Sequence, residues 1–119
     1  MKEQQMFELP ETEQKVFDIV KVHLLTQNKK SRNNDCACVY QNVVSGKKMK
    51  CAAGALIPDE FYSNDLEGYT WRELVERGDV PSEHLSLICE LQLLHDHISP
   101  LGWEECLMEI ADKFKLKYY

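Results

Sequence analysis

The chain lacks the features that would place it at a membrane, in an export pathway or on nucleic acid. It contains no run of about eighteen apolar residues, which a membrane-spanning helix requires. Residues 1–10 are polar and show neither the basic nor the apolar region of a signal peptide. Its 20 acidic side chains outnumber 14 basic ones, giving a formal net charge of -6, so little phosphate neutralisation is available. We therefore expect a cytoplasmic protein without a membrane or nucleic-acid partner.

The cysteines do not suit a closed disulfide framework, because their number is odd. They are Cys36, Cys38, Cys51, Cys89 and Cys106. Without an export signal these thiols should remain reduced. A chain of 119 residues is also long enough to bury a core without a metal or a disulfide. We therefore predict that the protein folds in the reduced state and needs no cofactor.

The apolar spacing predicts one mainly helical α+β domain over residues 1–119. Helical periodicity marks four segments, at residues 11–27, 70–77, 81–98 and 100–115. Residues rich in β-branched and aromatic types predict one antiparallel hairpin, over residues 36–44 and 49–52. Terminal position and turn-forming composition predict loose order at residues 1–9 and 117–119 and a mobile loop at residues 28–35.

Two short patterns predict specific local contacts. Thr70 and Glu73 have the spacing of a capping box, in which each residue bonds the backbone N–H of the other. Gly54 stands in a row of small residues, with Ala53 and Ala55 beside it. Such a row usually means that two backbones approach each other closely. We therefore expect a capped helix after Thr70 and a tight backbone contact at Gly54.

Two segments carry residue types that could perform nucleophilic catalysis. Cys51 ends a predicted strand just before a possible helical turn, where backbone N–H groups would stabilise a thiolate. Gln92, His95 and Asp96 share one side of the longest predicted helix. Cys51, with His95 as base and Asp96 beside it, has the composition of a cysteine-dependent hydrolase or transferase site. The same residues suit a buried cysteine and a core histidine equally well.

The two segments should meet in the fold, because small residues around Gly54 allow a close approach to the long helix. We expect His95 to lie within about 8 Å of Cys51 or Asp59, a distance that one water or a modest movement could bridge. Separation of these side chains across the helical core would remove the catalytic interpretation.

A metal site is the third chemical alternative. Cys36, Cys38 and Cys51 could converge on adjacent strands, with a histidine as the fourth ligand. However, a C-x-C pair does not have the spacing of common zinc sites, and no C-x-x-C pair occurs. We therefore predict no metal site.

A series of motifs resembles that of small uncharacterised proteins of tailed phages and prophages. The series runs from Cys38-Val39-Tyr40 through the segment 50–62 and Leu66-Glu67-Gly68 to the segment 91–96, and it continues with Trp103 and Ile110-Ala111. The resemblance covers most of the chain from Cys38 onward. It implies an accessory protein that works in an infected bacterial cytoplasm.

Small acidic phage proteins of this kind often bind and redirect a host or defence protein, which is the function that the resemblance implies. The candidate binding residues on these motifs are Tyr40, Asp59, Glu60, Tyr62 and Gln92. A cysteine-dependent enzyme and a virion structural or assembly protein are the alternatives.

Overall fold

The computed structural model describes residues 6–33 and 37–119, and this part of the chain contains four α-helices and one two-stranded antiparallel sheet. The helices are α1 (Glu13–Gln27), α2 (Trp71–Arg77), α3 (Leu85–His97) and α4 (Trp103–Lys113). The strands are β1 (Gln41–Val44) and β2 (Lys47–Lys50). The predicted α+β class, mainly helical, is confirmed. The predictions made for residues 1–5 and 34–36, including the strand start at Cys36, lie outside the described residues.

The predicted start of α3 is wrong by four residues. Pro81 and Ser82 precede the helix, which begins at Leu85. The cause is His84, whose left-handed backbone (φ 59°) interrupts any helix arriving from Pro81. The His84 ring bonds the carbonyl of Pro10 at 2.9 Å, which ties this bend to the N-terminal segment.

The predicted ends of the other helices are also too wide. Helix α1 begins at Glu13, two residues after its predicted start, because Thr12 caps it by accepting from the backbone N–H of Lys15. Helix α4 follows a short 3₁₀ turn at Pro100–Gly102. It ends at Lys113 because Lys115 takes a left-handed conformation that turns the chain out of the helix.

The capping box predicted for α2 is confirmed. Thr70 is the cap itself, so the helix begins at Trp71 rather than at residue 70. The Thr70 hydroxyl accepts from the N–H of Glu73 at 3.1 Å, and the Glu73 carboxylate accepts from the N–H of Thr70 at 2.8 Å.

The hairpin is shorter than predicted at both of its outer ends. Its turn contains only Ser45 and Gly46, and both have positive φ, as a two-residue type I′ turn requires. Residues 37–40 do not join the ladder; Cys38 instead forms an isolated bridge with Arg32. The sequence composition misplaced this segment because β-propensity cannot distinguish a strand from an extended segment held by side chains.

Side chains bond the outward-facing backbone groups of Gln41 and Lys50, which pair at the end of the hairpin away from its turn. On β1, the N–H of Gln41 donates to the Glu67 carboxylate at 3.3 Å. On β2, the amide of Gln27 bonds both the N–H and the carbonyl of Lys50, at 3.0 and 2.8 Å. The His23 ring reaches the same carbonyl at 2.8 Å.

The core lies among the four helices and the segment that follows the hairpin. Its largest fully buried side chains are Trp71, Trp103, Phe17, Leu24, Ile57, Leu74, Leu87, Ile88, Leu91, Leu107, His95 and Val16. The close approach predicted at Gly54 is present, because a Cβ placed there would lie 2.1 Å from the carbonyl oxygen of Tyr40. Only glycine fits this position without moving the backbone.

Both ends of the described chain pack onto the rest of the fold. Phe7 is buried, and its ring lies 5.5 Å from that of Phe61. The Gln14 amide bonds the N–H and the carbonyl of Lys117, at 2.8 and 2.9 Å. Loose order at residues 1–9 and 117–119, and mobility of residues 28–35, stay predictions about motion.

Among the described residues, no helix combines the length and the apolar character needed to cross a membrane.

Candidate functional site

His95 is held in one tautomer at the centre of the molecule. It lies on α3, is fully buried, and stacks on Trp103 with ring centroids 5.7 Å apart. The backbone N–H of Ser31 donates to its Nε2 at 3.0 Å. Nε2 therefore carries the lone pair, so the proton of the neutral ring sits on Nδ1. Nδ1 donates this proton to Oδ1 of Asp96 at 2.8 Å.

Asp96 is an ionised carboxylate held by neutral donors. Its Oδ1 accepts from His95 and, at 2.9 Å, from the Gln92 amide, and the Cys38 thiol lies beside the carboxylate, within 4.8 Å. Burial by itself would raise the pKa of Asp96, but the bonds from His95 and Gln92 outweigh it and leave the pKa below its ordinary value. The opposite end of Gln92 accepts from the N–H of Ala53 at 2.9 Å, which fixes the amide in place.

The Asp96 side chain lines an open groove of about 540 Å³, which we call the α2–α3 groove. Its walls come from residues 38–40, from residues 67–72, and from Cys89, Gln92, Leu93 and Asp96 of α3. The volume is within the range of sites that hold ligands or partner side chains. The four α3 residues follow i, i+3, i+4 and i+7 spacing, so they form one face of the helix.

Cys51 does not lie in this groove. It is fully buried, and this burial raises the pKa of its thiol far above the usual range. Its sulfur accepts from the N–H of Gly54 at 3.2 Å. The predicted contact between its segment and α3 is present through Ala53 and Gln92, but within residues 6–33 and 37–119 no hydrogen bond joins Cys51 to His95. A buried, protonated thiol has the properties of a core residue rather than a nucleophile.

Cys38 is the thiol that the fold brings to Asp96, but the order of groups is unsuited to nucleophilic catalysis. In a cysteine triad the imidazole contacts the thiol and the carboxylate orients the imidazole. Here Asp96 hydrogen-bonds the imidazole and lies beside the thiol. Burial and the charge of Asp96 raise the pKa of Cys38. The arrangement therefore keeps the Cys38 proton in place.

The same three residues form the one group of potential metal ligands in the described part of the chain. The ligand atoms of Cys38, His95 and Asp96 all lie within 4.8 Å of one another. However, Nδ1 and Oδ1 are 2.8 Å apart, whereas two ligands of one tetrahedral zinc ion would be about 3.3 Å apart. The Ser31 N–H occupies the other ring nitrogen. As arranged, this group holds a proton between His95 and Asp96. Of the other predicted ligands, Cys51 is not in the group and Cys36 lies outside the described residues.

The residues predicted to bind a partner have separate positions. Only Tyr40 and Gln92 line the groove, and the Tyr40 hydroxyl donates to the carbonyl of Tyr69 at 2.6 Å. The Tyr62 hydroxyl donates to Glu67 at 2.7 Å, which supports the wall. Asp59 and Glu60 are exposed in a different region.

Asp59 pairs with two lysines of the hairpin. Its carboxylate oxygens lie 2.8 Å from Nζ of Lys48 and 3.0 Å from Nζ of Lys50. These hydrogen bonds lower the pKa of Asp59 to about 2. The pairs belong to an exposed surface, where screening by solvent limits their contribution to stability.

Two groove residues that sequence reasoning missed are Leu93 and Trp71. Leu93 is 55% exposed although it is a large apolar residue in the middle of α3. Its exposure could have been predicted from the sequence, because Leu93 falls outside the apolar stripe that Leu87, Leu91 and Leu94 form along the helix. Trp71 is buried, and its indole Nε1–H has no hydrogen-bond acceptor among the described residues. No sequence pattern signals that unpaired donor.

Leu93 also lines a second groove, which we call the α3–α4 groove, of about 420 Å³. Its other apolar walls include Leu94, Ile98 and Ile110, and its rim carries Glu90 with Lys113. Leu93 thus stands as an exposed ridge between two depressions on one side of the molecule. We call this side, with Leu93 and its two grooves, the α3 face.

Comparisons with protein-family models, with curated protein sequences and with solved structures found no match to this chain. The resemblance to phage and prophage proteins is therefore an expectation from the sequence motifs.

Proposed function

We propose that this protein is a phage accessory protein that binds a host or defence protein through its α3 face. The observation that carries the proposal is the exposure of Leu93 between two grooves. A large apolar side chain in the middle of a helix, flanked by apolar depressions and a polar rim, is typical of a protein-binding surface. The phage setting comes from the motif resemblance.

The chemistry of the site supports binding over catalysis. Cys51 is buried with a raised pKa, burial and the charge of Asp96 raise the pKa of Cys38, and both ring nitrogens of His95 are already bonded. A nucleophile needs a thiolate next to an available base. Neither thiol has one, so the cysteine-dependent hydrolase or transferase is the weaker candidate.

The proposal is tested by affinity capture from bacteria infected by a phage that carries this gene. Three tagged forms are compared: the unchanged chain, Leu93→Glu, and the matched control Leu101→Glu. Leu101 is 98% exposed and lines neither groove, so its variant adds the same charge elsewhere. Burial of a leucine at the centre of an interface contributes about 2 kcal/mol, and a buried carboxylate costs more. We expect Leu93→Glu to recover at least tenfold less of one stoichiometric host protein than the unchanged chain does, and Leu101→Glu to recover as much as the unchanged chain.

Three outcomes would contradict the proposal. Equal recovery of that protein by both variants would exclude the α3 face as the binding surface. Capture of virion proteins alone would favour the structural or assembly role. Capture of no protein at all would favour the enzyme alternative.

A further inference from the structure

Asp96 carries a negative charge without a paired cation. Its carboxylate accepts from His95 and from the neutral amide of Gln92. The His95 ring is a neutral donor, because the Ser31 N–H donates to its other nitrogen, and the Cys38 thiol lies beside the carboxylate. Among the described residues, no lysine or arginine forms an ion pair with it. Its side chain is 28% exposed and lines the α2–α3 groove. A charge in such a partly buried position is normally paired.

Glu67, on the wall formed by residues 67–72, likewise has no ion pair with a lysine or arginine among the described residues. Its two oxygens accept from the N–H of Tyr40 at 3.0 Å, from the N–H of Gln41 at 3.3 Å and from the Tyr62 hydroxyl at 2.7 Å. These donors are all neutral. The groove therefore contains two ionisable carboxylates that only dipoles satisfy.

Three cations lie near the groove. Lys30 donates to the main-chain carbonyl of Asp96 at 3.1 Å. Arg32 lies beside the Cys38 thiol, and Arg72 is exposed on the groove wall near Cys89. None of the three forms an ion pair with Asp96 or Glu67 among the described residues.

Trp71 lines the same groove, and its indole Nε1–H is buried without an acceptor among the described residues. Because protein atoms cover this N–H, its NMR signal can report on the groove, but it is not a contact point for an occupant.

We propose that the α2–α3 groove takes a basic side chain from a segment of the partner protein, with its ammonium or guanidinium group on Asp96. The proposal rests on the proposed function and specifies the chemistry of the partner. The apolar walls Val39 and Leu93 would cover the methylene stem of that side chain.

The test is an NMR titration of the ¹⁵N-labelled full chain with small probes of stated chemistry. The probes are Nα-acetyl-arginine N-methylamide, Nα-acetyl-lysine N-methylamide, the uncharged Nα-acetyl-norleucine N-methylamide, and n-butylammonium. The indole N–H of Trp71 reports on the groove. Trp103 is the internal reference, because its indole already donates to the carbonyl of Ile98 at 2.8 Å.

We expect a basic peptide probe to bind saturably, to shift the Trp71 indole signal and to leave the Trp103 signal in place. The norleucine probe should bind at least tenfold more weakly, because it lacks the charge that Asp96 pairs. Asp96→Asn keeps an acceptor for His95 and Gln92, and should weaken the basic probe at least tenfold. The matched control Asp112→Asn removes one exposed charge from α4 and should change affinity less than twofold.

The comparison of basic and uncharged probes on the unchanged chain needs no variant, so misfolding of Asp96→Asn would not affect it. No saturable shift with either basic probe, or equal effects of the two asparagine variants, would overturn the proposal. Binding of n-butylammonium as tight as that of the peptide probes would assign the groove to a free amine and overturn the partner segment. If the probes fail while capture still depends on Leu93, this inference fails alone; if they bind while capture finds nothing, the proposed function fails.

Discussion

The substitution Gly54→Ala should destabilise the protein more than almost any other single added methyl group. The new Cβ would lie 2.1 Å from the carbonyl oxygen and 2.9 Å from the carbonyl carbon of Tyr40. Ordinary contacts need more than about 3 Å, so a backbone segment must move by about 1 Å. That segment is held by Cys51, whose N–H donates to the Tyr40 carbonyl at 3.2 Å, and by Glu67, which accepts from the Tyr40 N–H at 3.0 Å.

The magnitude follows from these contacts. Overpacking costs about 1–3 kcal/mol, and weakening one backbone hydrogen bond adds about 1 kcal/mol. We therefore expect a loss of about 2–4 kcal/mol in the free energy of unfolding. For a chain of this size this corresponds to a melting point lowered by roughly 8–16 °C.

Chemical and thermal unfolding of Gly54→Ala and the unchanged chain, monitored by circular dichroism, provide the measurement. The matched control is Gly102→Ala, where the added Cβ would meet only the Ile98 side chain, at 3.2 Å. Its backbone has negative φ, so alanine fits and the change should stay within about 1 kcal/mol. A melting point of Gly54→Ala within 2 °C of the unchanged chain would refute the close contact with Tyr40.

Three further predictions concern titration, thiol reactivity and metal removal. The folded pKa of Asp96 lies below its unfolded value, so its contribution to stability is complete above about pH 4 and is lost as the pH falls through the folded pKa. In urea unfolding between pH 6 and 3, the free energy of unfolding should therefore fall less steeply with acid for Asp96→Asn than for Asp112→Asn. An equal fall in the two variants would contradict this. Cys51 should be alkylated only after unfolding, whereas Cys106, which is partly exposed, should react in the folded protein. Peptide mapping by mass spectrometry would measure this, and labelling of Cys51 in the folded protein would contradict its burial. Thermal unfolding with and without a strong chelator should superimpose, and a melting point several degrees lower with the chelator would restore the metal interpretation.

Short-range patterns in the sequence predicted the local features of the fold. The capping box at Thr70 and the close approach at Gly54 each depend on a few adjacent residues, so the sequence contains what determines them. The start of α3 was missed because a distant contact, between the His84 ring and Pro10, accompanies the left-handed backbone that delays the helix. The strand predicted from residue 36 was too long because side-chain bonding to Glu67 takes the Tyr40 N–H out of the ladder.

Only part of the candidate site could be predicted from the sequence, because the rest depends on contacts between distant segments. Gln92, His95 and Asp96 are neighbours on one helix, and helical spacing alone places them together. Their thiol partner was assigned to Cys51, but the fold brings Cys38 to Asp96. That choice depends on which segment lies beside α3 in the groove, here residues 38–40, and this is a property of tertiary packing.

The covered edges of the hairpin have a consequence for how this protein can assemble. A free strand edge recruits further strands, and this is the common route to domain swapping and fibre growth. Here Glu67 occupies the outward N–H of Gln41, and Gln27 with His23 occupies both outward groups of Lys50. The remaining open length of each edge is about two residues, too short to template another chain. Even with Val43 and Val44 exposed near its tip, the described hairpin therefore offers a further strand little edge on which to pair, and a strand added at Gln41 or Lys50 would first have to displace Glu67, Gln27 and His23.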